Sequence, residues 1–191
     1  PDLERYCYFV AGTVGNLLTD TFVAEQGEAL APDVREALQQ RAVSFGLGLQ
    51  MTNIVKDVRA DRARGWCYLP AEVCQRHGLS PDQLIDPDHE QAAMAVVGEV
   101  VDRARVHLGT ALQYTLTLPV QAREIRLFVL VPMVLAFGTT TLVRRSPGVL
   151  RGEPIKLTRE AVAAVLIEAT QVVQDDDGIR RLCERAERLE I

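Results

Sequence analysis

Between Leu127 and Val143 every residue is apolar, glycine or proline except three threonines, and Arg126 and Arg144 stand at the two ends. A helix that is greasy on every side must be hidden, either in a bilayer or at the centre of a helical protein. The run is shorter than the roughly 20 residues of a typical membrane span, and it contains Pro132 and Gly138. We therefore expect a central core helix buried on all sides, with the rest of the chain supplying its partners.

The remaining sequence supplies them. Apolar residues at helical spacing run from about Leu3 to Val23, with Ala11, Gly12 and Gly15 forming a small-residue side. A loop is expected over 25–33, and Pro32-Asp33 opens a long second helix that continues to about Asp61. Short helices are expected at 71–77, closed by Gly78, and after Ser80-Pro81-Asp82. Longer ones follow over 90–117, 120–145, 158–173 and 178–189, with a turn at Ser146-Pro147-Gly148. Alternating apolar–polar runs are nearly absent. The expected fold is an all-α bundle in one domain covering 1–191.

Composition narrows the partners. With 48% apolar and 25% charged residues, 191 residues suffice for one packed core. A net charge of -5 argues against nucleic acid, which requires a basic surface. Local anion sites remain open, built on arginine together with Lys56 and Lys156. Cys7, Cys67, Cys74 and Cys183 form no CxxC pair and read as reduced thiols of a cytoplasmic protein. His77, His89 and His107 lack zinc-ligand spacing.

Gln50, Asn53, Asp57 and Asp61 follow one another at intervals of three, four and four residues. That spacing stacks them on one face of a helix. Two carboxylates a turn apart hold magnesium weakly, and suit it best when phosphate oxygens and water complete the octahedron. The alternative is a solvated acidic face neutralised by Arg59, Arg62 and Arg64. Gln50 and Asn53, set among Leu47, Leu49, Met51 and Ile54, favour a site, since polar amides in a buried helix need partners.

The run from Leu49 through Asn53, Asp57 and Asp61 to Gly65-x-x-Tyr68-Leu69-Pro70 resembles the second aspartate-rich motif of squalene and phytoene synthases. Tyr6-Cys-Tyr-Phe-Val10-Ala-Gly12-Thr-Val14-Gly15 is similar to their tyrosine-containing motif. The segments 128–136 and 151–156 look like squalene synthase segments. The four motifs stand in the family's order along nearly the whole chain.

The resemblance implies an isoprenoid-synthase-type helical bundle with a central substrate cavity, whose N-terminal helices are missing here. It implies condensation of two farnesyl diphosphates through presqualene diphosphate to squalene, with Mg²⁺ and NADPH as cofactors. Asp57, Asp61 and Asn53 would hold Mg²⁺ through diphosphate, beside Gln50 and Lys56. Tyr6 would assist ionisation. Val10, Val14, Gly15, Leu18, Ala42 and Leu49 would line the prenyl tunnels, Phe128 would face the carbocation, and Lys156 and Arg159 would contact NADPH.

Three positions depart from the family pattern: Ala60 replaces a glutamate, Lys56 an arginine and Trp66 a frequent arginine. The family's first aspartate-rich motif precedes the tyrosine motif and is absent from this chain, which opens at Pro1 without methionine. A trimmed or cleaved product is expected, inactive alone, with the missing N-terminal part of the domain as its partner. It is expected in the cytoplasm, peripherally touching a membrane as its product leaves. Two alternatives stay open: a phytoene, dehydrosqualene or presqualene-diphosphate synthase without NADPH, and a non-catalytic helical assembly factor.

Overall fold

A computed structural model of the chain describes residues 2–27 and 30–191; Pro1 and two residues of the expected 25–33 loop lie outside the described residues. All regular structure within them is helical. The first expected helix is interrupted: α1 (Asp2–Cys7) passes through a wide π turn (Tyr8–Gly12) into α2 (Thr13–Gln26). Next come α3 (Pro32–Lys56), α4 (Val58–Ala63) and α5 (Ala71–Arg76). Two short 3₁₀ turns then lead into α6 (Glu90–Thr117), which matches the span expected from sequence. The chain ends with α7 (Arg123–Arg145), α8 (Gly148–Arg151), α9 (Arg159–Val172) and α10 (Asp176–Arg188).

Two apolar clusters fill the interior. One gathers Met51 and Val55 of α3, Val73 of α5, and Val96, Val97 and Val100 of α6. The other joins Leu38 of α3, Leu108 and Ala111 of α6, Leu130 and Met133 of α7, Val165 of α9 and Leu182 of α10. Helices α3, α6 and α7 each pack against the other two. Helix α7 is long and apolar enough to cross a membrane, yet most of it is buried within the bundle. The expectation of burial on all sides needs correction: Phe128 is 55% exposed, because the flank carrying Phe128 and Pro132 borders an open cleft.

The π turn and α2 meet α3 backbone to backbone. A Cβ added at Gly15 would lie 2.2 Å from the Ala42 carbonyl oxygen, and one at Gly46 would lie 2.2 Å from that of Ala11. Hydrogen is therefore the only side chain that fits at either position. The small residues of the sequence are the surface on which these helices touch.

Candidate functional site

Helix α3 carries the site along its length. Phe45, Leu49, Asn53 and Asp57 recur every four residues, a stripe that drifts about 40° per step on a helix. Leu49 and Asp57 are thus separated by a rise of about 12 Å. The stripe begins apolar and ends in carboxylate.

At the apolar end lies an open cleft of about 740 Å³, lined by Val14 and Leu18 of α2, Phe45 and Leu49 of α3, Leu127, Phe128 and Pro132 of α7, and Leu166 of α9. The Phe128 ring stands edge-on to Phe22 at 6.4 Å. Pro132 has no N–H to return to the Phe128 carbonyl, so that carbonyl lacks its helical partner beside the cleft. Of the residues the resemblance singled out, Val14, Leu18, Leu49 and Phe128 come together around this cleft. Gly15 and Ala42 do not join them, since they are pressed against each other in the α2–α3 contact. Val10, on the π turn, is exposed and outside the cleft lining. Phe45, Leu127, Val131 and Leu166 are cleft residues the sequence reading did not single out; their apolar character was visible, but not which face would stay open.

At the polar end, α3 stops at Lys56 and α4 begins at Val58, so the single helix expected through Asp61 is broken at Asp57. The amide ladder nevertheless continues: Asp57 N donates to Asn53 O at 3.0 Å, and Asp61 N to Asp57 O at 2.9 Å. The two aspartates therefore keep their one-turn spacing across the break. Gln50 is half-buried, and Asn53 is exposed rather than buried as expected.

Each carboxylate has one cation beside it. Lys56 Nζ is 3.5 Å from Asp57, and Arg64 Nη1 is 3.6 Å from Asp61. Burial, and after it the charge of Asp57, push the Asp61 carboxyl above its ordinary range, against the pull of Arg64. Two carboxylates crowded one turn apart, one of them largely buried, suit a divalent cation shared with phosphate oxygens. No cluster of three or more metal-type ligands occurs among the described residues, so the protein alone offers only a partial donor set.

Lys156 lies with Lys56, Asp57 and Arg59 around a small cleft of about 160 Å³. Arg59 was a charge-neutralising candidate from sequence; here it lines this cleft beside Lys156. Arg159 sits exposed at the start of α9, outside it. Of the two arginines near the missing loop arginine, Arg64 neighbours Asp61 whereas Arg62 pairs with Asp82 at 2.6 Å.

Tyr6, half-buried on α1, stacks on Tyr68 with ring centroids 4.8 Å apart. Its phenol is pushed up to about 12, chiefly by the hydrogen bond to Tyr68, then by burial, with the Asp61 charge also contributing. Tyr68 was part of the sequence motif but received no role there. Its pairing with a residue 62 positions earlier is a tertiary contact with no local signal.

The family described as squalene/phytoene synthase matches residues 1–161. Squalene synthase 1 of Arabidopsis thaliana is 31% identical over 93% of this chain and 42% of its own length. The 15-cis-phytoene synthase of Enterobacter agglomerans is 34% identical over 58% of this chain and 34% of its own. The solved complex of TcSQS with the ligand BPH1237 superposes at a TM-score of 0.78 and 26% identity, covering 98% of this chain and 60% of that one. The chain spans 37% to 42% of the length of the first two curated relatives, both squalene synthases. With that match over most of its length, and the all-α isoprenoid synthase fold to go with it, the chain belongs to the squalene/phytoene synthase family.

Proposed function

We propose that this chain supplies the second-aspartate half of a site that joins two farnesyl diphosphates head to head, as in a squalene synthase. The observation that carries this reading is the α3 stripe, with an apolar cleft about 12 Å from the Asp57/Asp61 pair. A prenyl chain in the cleft would present its diphosphate to the carboxylates. Asp57 and Asp61 would hold Mg²⁺, with Asn53 and Gln50 beside it; the metal would supply charge stabilisation to the departing diphosphate.

Tyr6 would donate a hydrogen bond to the leaving oxygen, and Lys56 would offset phosphate charge. The cleft would exclude water from the allylic cation, and Phe128 would face the later cyclopropylcarbinyl cation. Loss of one diphosphate and one proton gives presqualene diphosphate. Loss of the second diphosphate, rearrangement and hydride from NADPH give squalene. Lys156, with Arg59 on the same cleft, has the charge to meet an NADPH phosphate, and Arg159 would add to it from the start of α9. Because the chain spans well under half of its curated relatives, we propose that it is inactive alone and works with a segment carrying the first aspartate-rich motif. A cytoplasmic site at a membrane surface suits so apolar a product.

Thermal unfolding tests this reading. A non-hydrolysable farnesyl diphosphate analogue should raise the midpoint only when Mg²⁺ is present, by about 2.7 kcal/mol at one hundred times its Kd. Asp57→Asn and Asp61→Asn should each remove the Mg²⁺-dependent gain. No gain in the parent chain would sink the proposal and favour a non-catalytic helical protein. Squalene made by the purified 191-residue chain would refute its inactivity. The phytoene synthase match supports a second reading without NADPH; a complete enzyme whose product ignores added NADPH would favour it.

A further inference from the structure

We propose that the apolar cleft selects an isoprenoid chain that carries positive charge, and that Glu124 and the backbone carbonyl of Phe128 do the selecting. Both lie on the α7 wall. Glu124, Phe128 and Pro132 follow one another at intervals of four residues, which sets them along one flank of the helix, and all three line the cleft.

Glu124 is the one charged residue in that lining among the described residues. The rest is apolar apart from Thr170, whose hydroxyl donates to the Leu166 carbonyl at 2.8 Å. The two arginines nearest in sequence are engaged elsewhere: Arg123 Nη2 donates to the Thr170 carbonyl at 3.4 Å, and Arg126 pairs with Asp176. Glu124 itself forms no ion pair among the described residues. A carboxylate at the edge of an apolar cleft is screened less than one on open surface, so its field reaches into the cleft.

The carbonyl adds a second negative group. Helix α7 runs unbroken through Pro132, which has no N–H for the Phe128 oxygen. No side-chain hydroxyl replaces it among the described residues, since Thr139, Thr140 and Thr141 bond the carbonyls of Leu135 and Phe137. Proline inside a helix is destabilising, and such strain clusters where a site uses it.

Desolvation decides the occupant. A neutral hydrocarbon in the cleft strips water from the carboxylate and the carbonyl and leaves both unpaired, which costs free energy. A chain with a positive centre near Phe128 compensates both, in addition to meeting the ring face. Such a wall would steady the carbocations of the reaction, a use that rests on the proposed function; the charge preference rests on α7 alone.

Isothermal titration of the 191-residue chain measures that preference without Mg²⁺ or diphosphate. The probes are farnesyldimethylamine, protonated at neutral pH, and the isostere with carbon in place of nitrogen. The amine should bind about fivefold more tightly, the gain of one partly screened ion pair. Glu124→Gln should remove most of that gain, and Pro132→Ala, which restores an N–H to the Phe128 carbonyl, should reduce it. Neither should weaken binding of the neutral isostere. Both variants keep the Phe128 ring, so cation–π attraction does not account for the change. Glu160→Gln, exposed on α9 outside the cleft lining, should leave the preference as it is. Equal affinity for the two probes, binding of neither, a preference that survives Glu124→Gln, or an equal drop in Glu160→Gln overturns the inference. Should Pro132→Ala fail to fold, Glu124→Gln still decides. A farnesyl diphosphate analogue that stabilises the chain with Mg²⁺, while the amine shows no preference, leaves the proposed function standing and removes this inference; the reverse result does the opposite.

Discussion

Asp61 sits where a carboxylate is uncomfortable: its side chain is only 15% exposed, and the charge of Asp57 lies one turn away. Its folded-state pKa is raised above the unfolded value, so the fold loses stability as pH rises from near 3.8 through the raised value. Asp61→Asn should therefore raise the thermal midpoint at neutral pH, by about 2 °C after allowance for solvent screening. The advantage should vanish in scans below pH 3.8, where Asp61 is protonated in both states. A substitution that lowers the midpoint at pH 7 and leaves it unchanged below would contradict the charge crowding. Stability and metal affinity oppose each other at this residue, a trade expected where function requires a crowded charge. Spacing alone revealed the aspartate pair. Arg64, three residues beyond Asp61, was among the neutralising arginines read from the sequence; Lys156 beside Asp57 and Tyr68 on Tyr6 were not revealed, because each depends on loops folding back over long sequence distances.

Helix boundaries were legible where chemistry marks them. Thr158, where α9 was expected to begin, caps it by accepting from the Ala161 amide at 3.1 Å, whereas α10, expected from 178, begins two residues earlier behind Asp175, which accepts from the Asp177 amide. The breaks were not legible. The π turn over Tyr8–Gly12 and the interruption at Asp57 occur inside runs whose composition is helical throughout, and tertiary packing sets them. The small-residue side of the first helix allowed either close helix packing or a flat isoprenoid, and the α2–α3 contact resolves it as packing. Gly15→Ala or Gly46→Ala would drive a methyl group to 2.2 Å from a backbone oxygen. Neither helix can yield locally, so each should cost about 1–3 kcal/mol as overpacking, seen as a lower urea midpoint with an unchanged slope. Gly98→Ala, on α6 with nothing within 4 Å of the added carbon, should cost nothing or stabilise slightly. Equal losses at Gly46 and Gly98 would show that the close contact does not matter.

The apolar run of α7 demanded a partner on every side, and the bundle supplies all but the cleft flank. What holds the start of that helix is a charge. Arg126 is fully buried, donates to the Leu118 carbonyl at 3.4 Å, and forms an ion pair with Asp176 at the N-terminus of α10. Its Nε has no partner, so the guanidinium depends on Asp176 for most of its compensation. A buried ion pair adds little over apolar packing, but removing one member leaves an unpaired buried charge. Asp176→Ala should therefore cost about 3 kcal/mol, although Asp176 itself is 48% exposed and would ordinarily be dismissed as a surface residue. Arg126→Met removes the charge and keeps much of the volume, so it should cost less. The double variant should be more stable than the sum of the single losses predicts, with a coupling of about 1–3 kcal/mol. Urea unfolding of the four proteins measures that coupling directly. Additive losses would mean that α7 is held by apolar contact alone, and that the buried arginine finds its compensation in the helix-end carbonyl.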